Sequence, residues 1–207
     1  MQPSLLKIIS AALFAPLVGA AYVKPGQYQN SESRNSASVS SRIVADKSHR
    51  FRIRTITAGV NLKNTTDLAT VESAIVFLEQ ARKKFTDEGY EIQTLRIATQ
   101  SLPEYLNGKT RAAALADLKA IDRVVSAKNV LISIGPVITD DRHDPEFASW
   151  ASQLVAETRN INFSVNVASP ERGIQRQTAL TAAEAIVAIS KSSLGGEGNF
   201  RFTAAAN

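Results

Sequence analysis

From residue 51 onward, stretches that read as β-strands start near residues 51, 91, 129, 161 and 199, and each successive pair is separated by an amphipathic, helix-like stretch. That alternation constrains the fold more than any other feature of the chain. Phe51–Val60 is β-prone, and Asp67–Glu88 places Leu68, Val71, Ile75, Leu78 and Phe85 on one helical face. Glu91–Ala98 reads as a second strand, and Arg111–Lys128 as a helix with Ala114, Leu118, Ile121 and Val125 at steps of four and three. Asn129–Ile134 is nearly all apolar, which predicts a strand covered on both faces. A third helix over Pro145–Arg159 and a fourth strand over Asn162–Val167 follow. Thr181–Ser192 reads as a fourth helix opened by a Thr181/Glu184 capping box, and Asn199–Ala205 as a fifth strand. Parallel strands need helical crossovers of this length, so the class is α/β with alternating β-α units and parallel strands. Periodicity alone leaves a barrel and an open doubly wound sheet equally available.

The residues before this region have a different character. Residues 1–20 carry one lysine near the start, an apolar run over Ile8–Val18 and small residues around Gly19–Ala20, the pattern of a signal peptide. The run is too short to span a membrane. Residues 21–50 are polar and rich in serine, the composition of a flexible leader. The expected layout is therefore a signal peptide, a leader and one α/β domain over 51–207, in a secreted or extracytoplasmic protein with no membrane association once the signal is removed. With no cysteine in the chain, disulfides, thiolate metal ligands and thiol nucleophiles are excluded. The net charge of +5 belongs mostly to the first 50 residues, which hold six Lys/Arg against two Asp/Glu; the remainder has eighteen against seventeen. A nearly neutral, aromatic-poor body argues against nucleic-acid binding.

In parallel α/β folds ligands gather where the carboxyl ends of the strands meet their loops. Those loops are Asn61–Thr66, Thr99–Ser101, Gly135-Pro136 with Thr139–Asp144, and Ser169–Gly173. Much of their polarity has a structural reading: Thr66, Asp67 and Asp144-Pro145 suit helix starts, and Ser101/Glu104 a capping box. Asp140, Asp141, His143 and Asp144 lack calcium-loop spacing, so no metal is expected there. Lys63 and Arg172 lie just past strands, where a long cation reaches a ligand carboxylate or phosphate, and Glu171 beside Arg172 is a candidate acid/base. Gly195-Gly196-Glu197-Gly198 follows a helix and precedes a strand, the reverse of a phosphate-binding loop. Gly195 instead suits a left-handed helix end, and no nucleotide cofactor is expected. Asn64 and Asn162 begin glycosylation sequons.

The segments RIRTITAGVNL, TLRIATQSLPE, SIGPV, VASPERGI and GGEGNFRFTAAAN, taken together over residues 51–207, resemble the family called domain of unknown function 711. The resemblance implies a pyruvate formate-lyase-like β/α barrel, of which this chain would form the first part. It carries a fold but no activity. Radical chemistry of the glycyl type does not transfer, because a chain without cysteine cannot pass a radical to a thiol. The resemblance places Asn61, Arg172, Glu197 and Asn199 in recurring segments at the ligand-binding rim. The resulting expectation is a domain for a small anionic ligand, with Asn61, Lys63, Arg172 and Asn199 binding it and Glu171 or Glu197 moving a proton. The alternatives are a truncated family member without independent activity, and a non-catalytic protein that self-associates through an edge strand at Asn199–Ala205.

Overall fold

The structure, a computed structural model, describes residues 51–206; the expected signal peptide and serine-rich leader lie outside them. The elements are β1 (Ile53–Val60), α1 (Leu68–Asp87), β2 (Ile92–Thr99), α2 (Leu102–Tyr105), α3 (Arg111–Ala127), β3 (Val130–Ile138), α4 (Phe147–Glu157), β4 (Ile161–Ser169), β5 (Gly173–Ile174), α5 (Arg176–Ser192) and β6 (Phe202–Ala206). Strands β1, β2, β3, β4 and β6 lie side by side in that order and all pair in parallel. The two-residue β5 pairs antiparallel with the end of β4. The class is therefore α/β, and among the described residues six strands form a mostly parallel sheet that does not close. Its strand order never reverses, whereas reversal is what defines a doubly wound sheet.

This order dictates where the core lies. Right-handed crossovers that always add the next strand on the same side bring every crossover helix to one face of the sheet. That face carries Leu95 and Ile97 of β2, Val130, Ile132 and Ile134 of β3, and Ile161, Phe163 and Val165 of β4, all buried. Against them pack Val71, Ile75 and Leu78 of α1, Leu118, Ile121 and Val125 of α3, and Phe147, Ala151 and Leu154 of α4. Phe147, Trp150, Phe163 and Phe202 cluster with ring centroids 5.1–6.4 Å apart, joining α4 to the last two parallel strands. The expectation of strands covered on both faces is corrected here. Among the described residues only one face is covered, and Ser133 interrupts the apolar run of β3 because it points to the other face.

Several boundaries also differ from the sequence reading: the third helix begins at Phe147 behind Glu146, not at Pro145 behind Asp144, and two other starts have long-range causes. The fourth long helix begins at Arg176, and Thr181 does not open it. Thr181 is fully buried and its hydroxyl accepts the Asp144 amide at 3.0 Å, so it serves a neighbouring loop and not a capping box. The helix is capped instead from outside, where the Asp141 carboxylate accepts the amides of Gln177 at 2.8 Å and Thr178 at 3.1 Å. The last strand begins at Phe202, because Leu194–Arg201 forms 3-10 turns broken at Gly195 (φ 62°) and Gly196 (φ 74°), both left-handed. Arg201 closes this segment onto the end of α4, donating to the carbonyl of Thr158 at 2.8 Å and to that of Val155. A cation at a helix carboxyl end meets unpaired carbonyls and the negative end of the dipole.

Where β3 passes the end of β2 the backbones approach closely. Gly135 has φ 73°, and a side chain there would bring Cβ to 2.3 Å from the Gln100 carbonyl oxygen. Gly108, with φ 81°, has open space around it. Gly135→Ala is therefore expected to lose roughly 3 kcal/mol of stability and Gly108→Ala only about 1. Urea melts of the two variants check this, and equal losses would contradict the close-approach explanation.

Candidate functional site

The rim at the carboxyl ends of the strands is held by side-chain to backbone bonds that continue the sheet past its formal ends. The Gln100 amide clamps Leu62 from both sides, accepting its N–H at 3.0 Å and donating to its carbonyl at 2.7 Å. This ties the loop after β1 to the loop after β2. Tyr105, fully buried, donates its hydroxyl to the Ile134 carbonyl at 3.1 Å, and burial pushes its phenol pKa well up. Asp67 is the N-cap of α1, as its sequence position predicts. Burial opposes its ionisation, but the amides of Lys63 and Thr70, the Thr70 hydroxyl and the charge of Lys63 outweigh that effect and hold its pKa down. Nearby, Asp117 accepts hydrogen bonds from the Lys109 ammonium at 2.6 Å and from the Thr65 hydroxyl, and these hold its carboxyl below the usual range.

The acidic loop after β3 is committed to architecture. Asp141 caps α5, and Asp144 pairs with Arg111 at 2.8 Å in a half-buried contact. The Arg111 guanidinium lies over the rings of Phe147 and Trp150, 5.4 and 5.7 Å from their centroids. His143 meets Glu184 at 3.0 Å. No group of three or more potential metal ligands is found among the described residues.

The structure separates the residues that the sequence singles out. Asn61 and Lys63 stand after β1 and are exposed. Glu171 and Arg172 stand three strand spacings away, roughly 14 Å, in the tight hairpin between β4 and β5. Within that hairpin the Arg172 amide donates to the Ser169 hydroxyl at 3.2 Å, and its guanidinium reaches back over the end of β3 to donate to the Thr139 carbonyl at 2.9 Å. Glu197 and Asn199 require a correction. They precede β6, which runs parallel to β4, so they lie at the amino ends of the strands, opposite the rim. There the Asn199 amide donates to the Ile186 carbonyl at 3.2 Å, its oxygen is buried without a partner among the described residues, and Glu197 is exposed.

The side chains that sequence reasoning passed over are on the uncovered face of the sheet. The register puts Thr55 and Thr57 of β1, Thr94 and Arg96 of β2, Ser133 of β3, and Asn162, Ser164 and Asn166 of β4 on that face. All are half-buried. The signal was available as polar residues recurring every second position within the strands.

The family model described as Uncharacterised ACR (DUF711) matches residues 46–207. No curated protein matches the chain.

The Lys109–Asp117–Thr65 cluster yields a pH-dependent prediction. Because the folded-state pKa of Asp117 lies below its ordinary value of 3.8, its stabilisation is complete well above that pH and is lost as pH falls through the folded value. Asp117→Asn should cost roughly 1 kcal/mol at neutral pH and almost nothing near pH 2. Denaturant melts of both proteins at the two pH values read the difference, and a gap that is undiminished in acid would contradict the assignment.

Proposed function

The chain is a member of the DUF711 family, and from that premise we propose that it is an exported domain that binds a small anionic metabolite at the carboxyl ends of its parallel strands. The observation that carries this reading is the posture of Arg172. A pinned hairpin holds it, one guanidinium nitrogen is fixed on the Thr139 carbonyl, and its other N–H groups have no partner among the described residues. A guanidinium so oriented retains donors for a carboxylate or phosphate without the full entropy cost of ordering a free side chain. Lys63, exposed on the far side of the rim, adds positive potential, with Asn61 beside it as a neutral hydrogen-bonding group. Glu171, exposed and without hydrogen bonds or ion pairs among the described residues, is a carboxylate available for proton transfer at this end; Glu197 is not within reach of it. Export rests on the composition of residues 1–20. No helix among the described residues is long and apolar enough to cross a membrane.

A thermal-shift panel of carboxylates and phosphates tests the binding site. The expected result is a stabilising ligand whose shift is abolished by Arg172→Ala, partly kept by Arg172→Lys and weakened by Lys63→Ala. A ligand that binds all three variants as it binds the native chain would refute the rim assignment.

A second reading has its own support. The outer edge of β6 pairs with no strand among the described residues, and the chain before it exposes Leu194 at 93% and Phe200 at 91%. On α5 the exposed Val187 lines a shallow depression together with Ala183, Glu184, Ala188 and Lys191. An uncharged edge strand next to exposed apolar side chains favours pairing between two copies of the chain. Sedimentation should then show a dimer that Phe200→Glu turns into a monomer; a native chain that sediments as a monomer at all concentrations excludes this mode.

A further inference from the structure

We infer that the uncovered face of the sheet is itself a binding surface for a small hydroxylated oxyanion, a carboxylate or a phosphate monoester, with Arg96 as its charged anchor. The inference stands on residues other than Arg172 and does not depend on the rim assignment.

Arg96 sits within β2, with Thr57 of β1 directly beside it in register and Leu131 on its other side. It lies three residues before the end of its strand, roughly 10 Å below the rim. None of the five parallel strands contains an aspartate or glutamate, so no neighbour in the sheet can neutralise it. Arg96 has no ion pair among the described residues, and its Nε is buried without a hydrogen-bond partner. Such a donor is normally satisfied, and when it is not, the missing acceptor is the first thing to look for.

The neighbours define what the acceptor would be. One residue pair further along, Ser133 of β3 faces Asn162 of β4, and Ser164 faces Thr203 of β6. These side chains make no hydrogen bonds to other described residues. Hydroxyls and a carboxamide spread over three strands beside a single guanidinium suit a ligand with one anionic end, held bidentately, and several neutral oxygens. A flat apolar ligand would leave these groups unpaired, and a cation would be repelled. Leu131 in their midst provides contact area without competing for polar groups. A parallel sheet built to be covered by helices on both faces would carry valine, isoleucine or leucine at these positions.

The test has two arms on the whole chain. In the first, melts without added ligand compare the native protein with Arg96→Met. The expected outcome is a melting temperature unchanged or raised by ~2–5 °C, because an unpaired shielded cation is replaced by an apolar side chain of similar length. A loss of more than about 5 °C would show that Arg96 is a structural residue and overturn the proposal. In the second arm, gluconate and glycerol 3-phosphate are added separately, with sodium chloride and acetate as controls at equal ionic strength. One of the two probes should raise the melting temperature by ~2–6 °C above the controls, and which one does so distinguishes the carboxylate from the phosphate. Arg96→Met should abolish that shift, Arg96→Lys should keep part of it, and Asn162→Ala should reduce it, while Arg172→Ala leaves it intact. No shift with either probe, or a shift that survives Arg96→Met, overturns the proposal; loss with Arg172→Ala but not with Arg96→Met overturns it too and leaves the rim reading standing.

Discussion

Everything in this structure depends on strands being laid down in one direction. Each crossover from β1 to β6 places the next parallel strand on the same side of the last, and with right-handed connections the helices have only one face on which to pack. The hydrophobic core is therefore one-sided. Ile132, Ile134, Ile161, Phe163 and Val165 meet α3, α4 and α5, and the aromatic cluster around Phe147 secures the newest strand to the helix layer. A sheet wound in two directions would bury both faces and leave a crevice only where its order reverses. Here, among the described residues, one face has no helices on it and carries mostly polar side chains on its central strands.

The two ends of the sheet are finished by different means. At the carboxyl ends, side chains imitate backbone: the Gln100 amide extends the pairing of β1 with β2, and Asp141 supplies a cap that α5 lacks in its own sequence. These bonds keep the loops that bear Lys63 and Arg172 in register with the strands. At the amino ends Asp122 accepts the amides of Arg159 and Asn160, and Arg201 covers the last carbonyls of α4. Burial lowers the pKa of Arg201 and the nearby Asp122 charge opposes that shift, a balance suited to a guanidinium used as a structural tie. Asp122 and Arg201 near the amino ends therefore read as scaffold, as does Asn199 through the Ile186 carbonyl.

The elements were legible where periodicity was strong. Leu68, Val71, Ile75 and Leu78 mark α1 by spacing alone, and Ala114, Leu118, Ile121 and Val125 mark α3. Failures arose where a side chain serves a distant segment. Thr181 and Glu184 have capping-box spacing, yet Thr181 is taken by the Asp144 amide and Glu184 by His143, contacts that span about forty residues and leave no local trace. Asn199 looked like the start of a strand because the sequence around it is apolar, but two left-handed glycines upstream wind the chain into 3-10 turns as far as Arg201. The site was less legible than the fold. Arg172 is marked by its position after a strand, whereas Arg96 sits inside one, where an alternating polar residue reads as an ordinary solvent-facing position.

The α/β class, the number of long parallel strands and the lack of cysteine in the chain can be read from the residues alone, because each follows from composition or from short-range spacing, and the resemblance to the DUF711 family can be read from five short segments. Which face of each strand is buried, that Lys63 and Arg172 stand on opposite sides of the rim, that Glu197 and Asn199 belong to the other end, and that Arg96 has no counter-charge among the described residues emerge only from the folded arrangement. Those facts depend on register and strand order, which pair residues roughly forty positions apart through backbone hydrogen bonds whose partners no local pattern records.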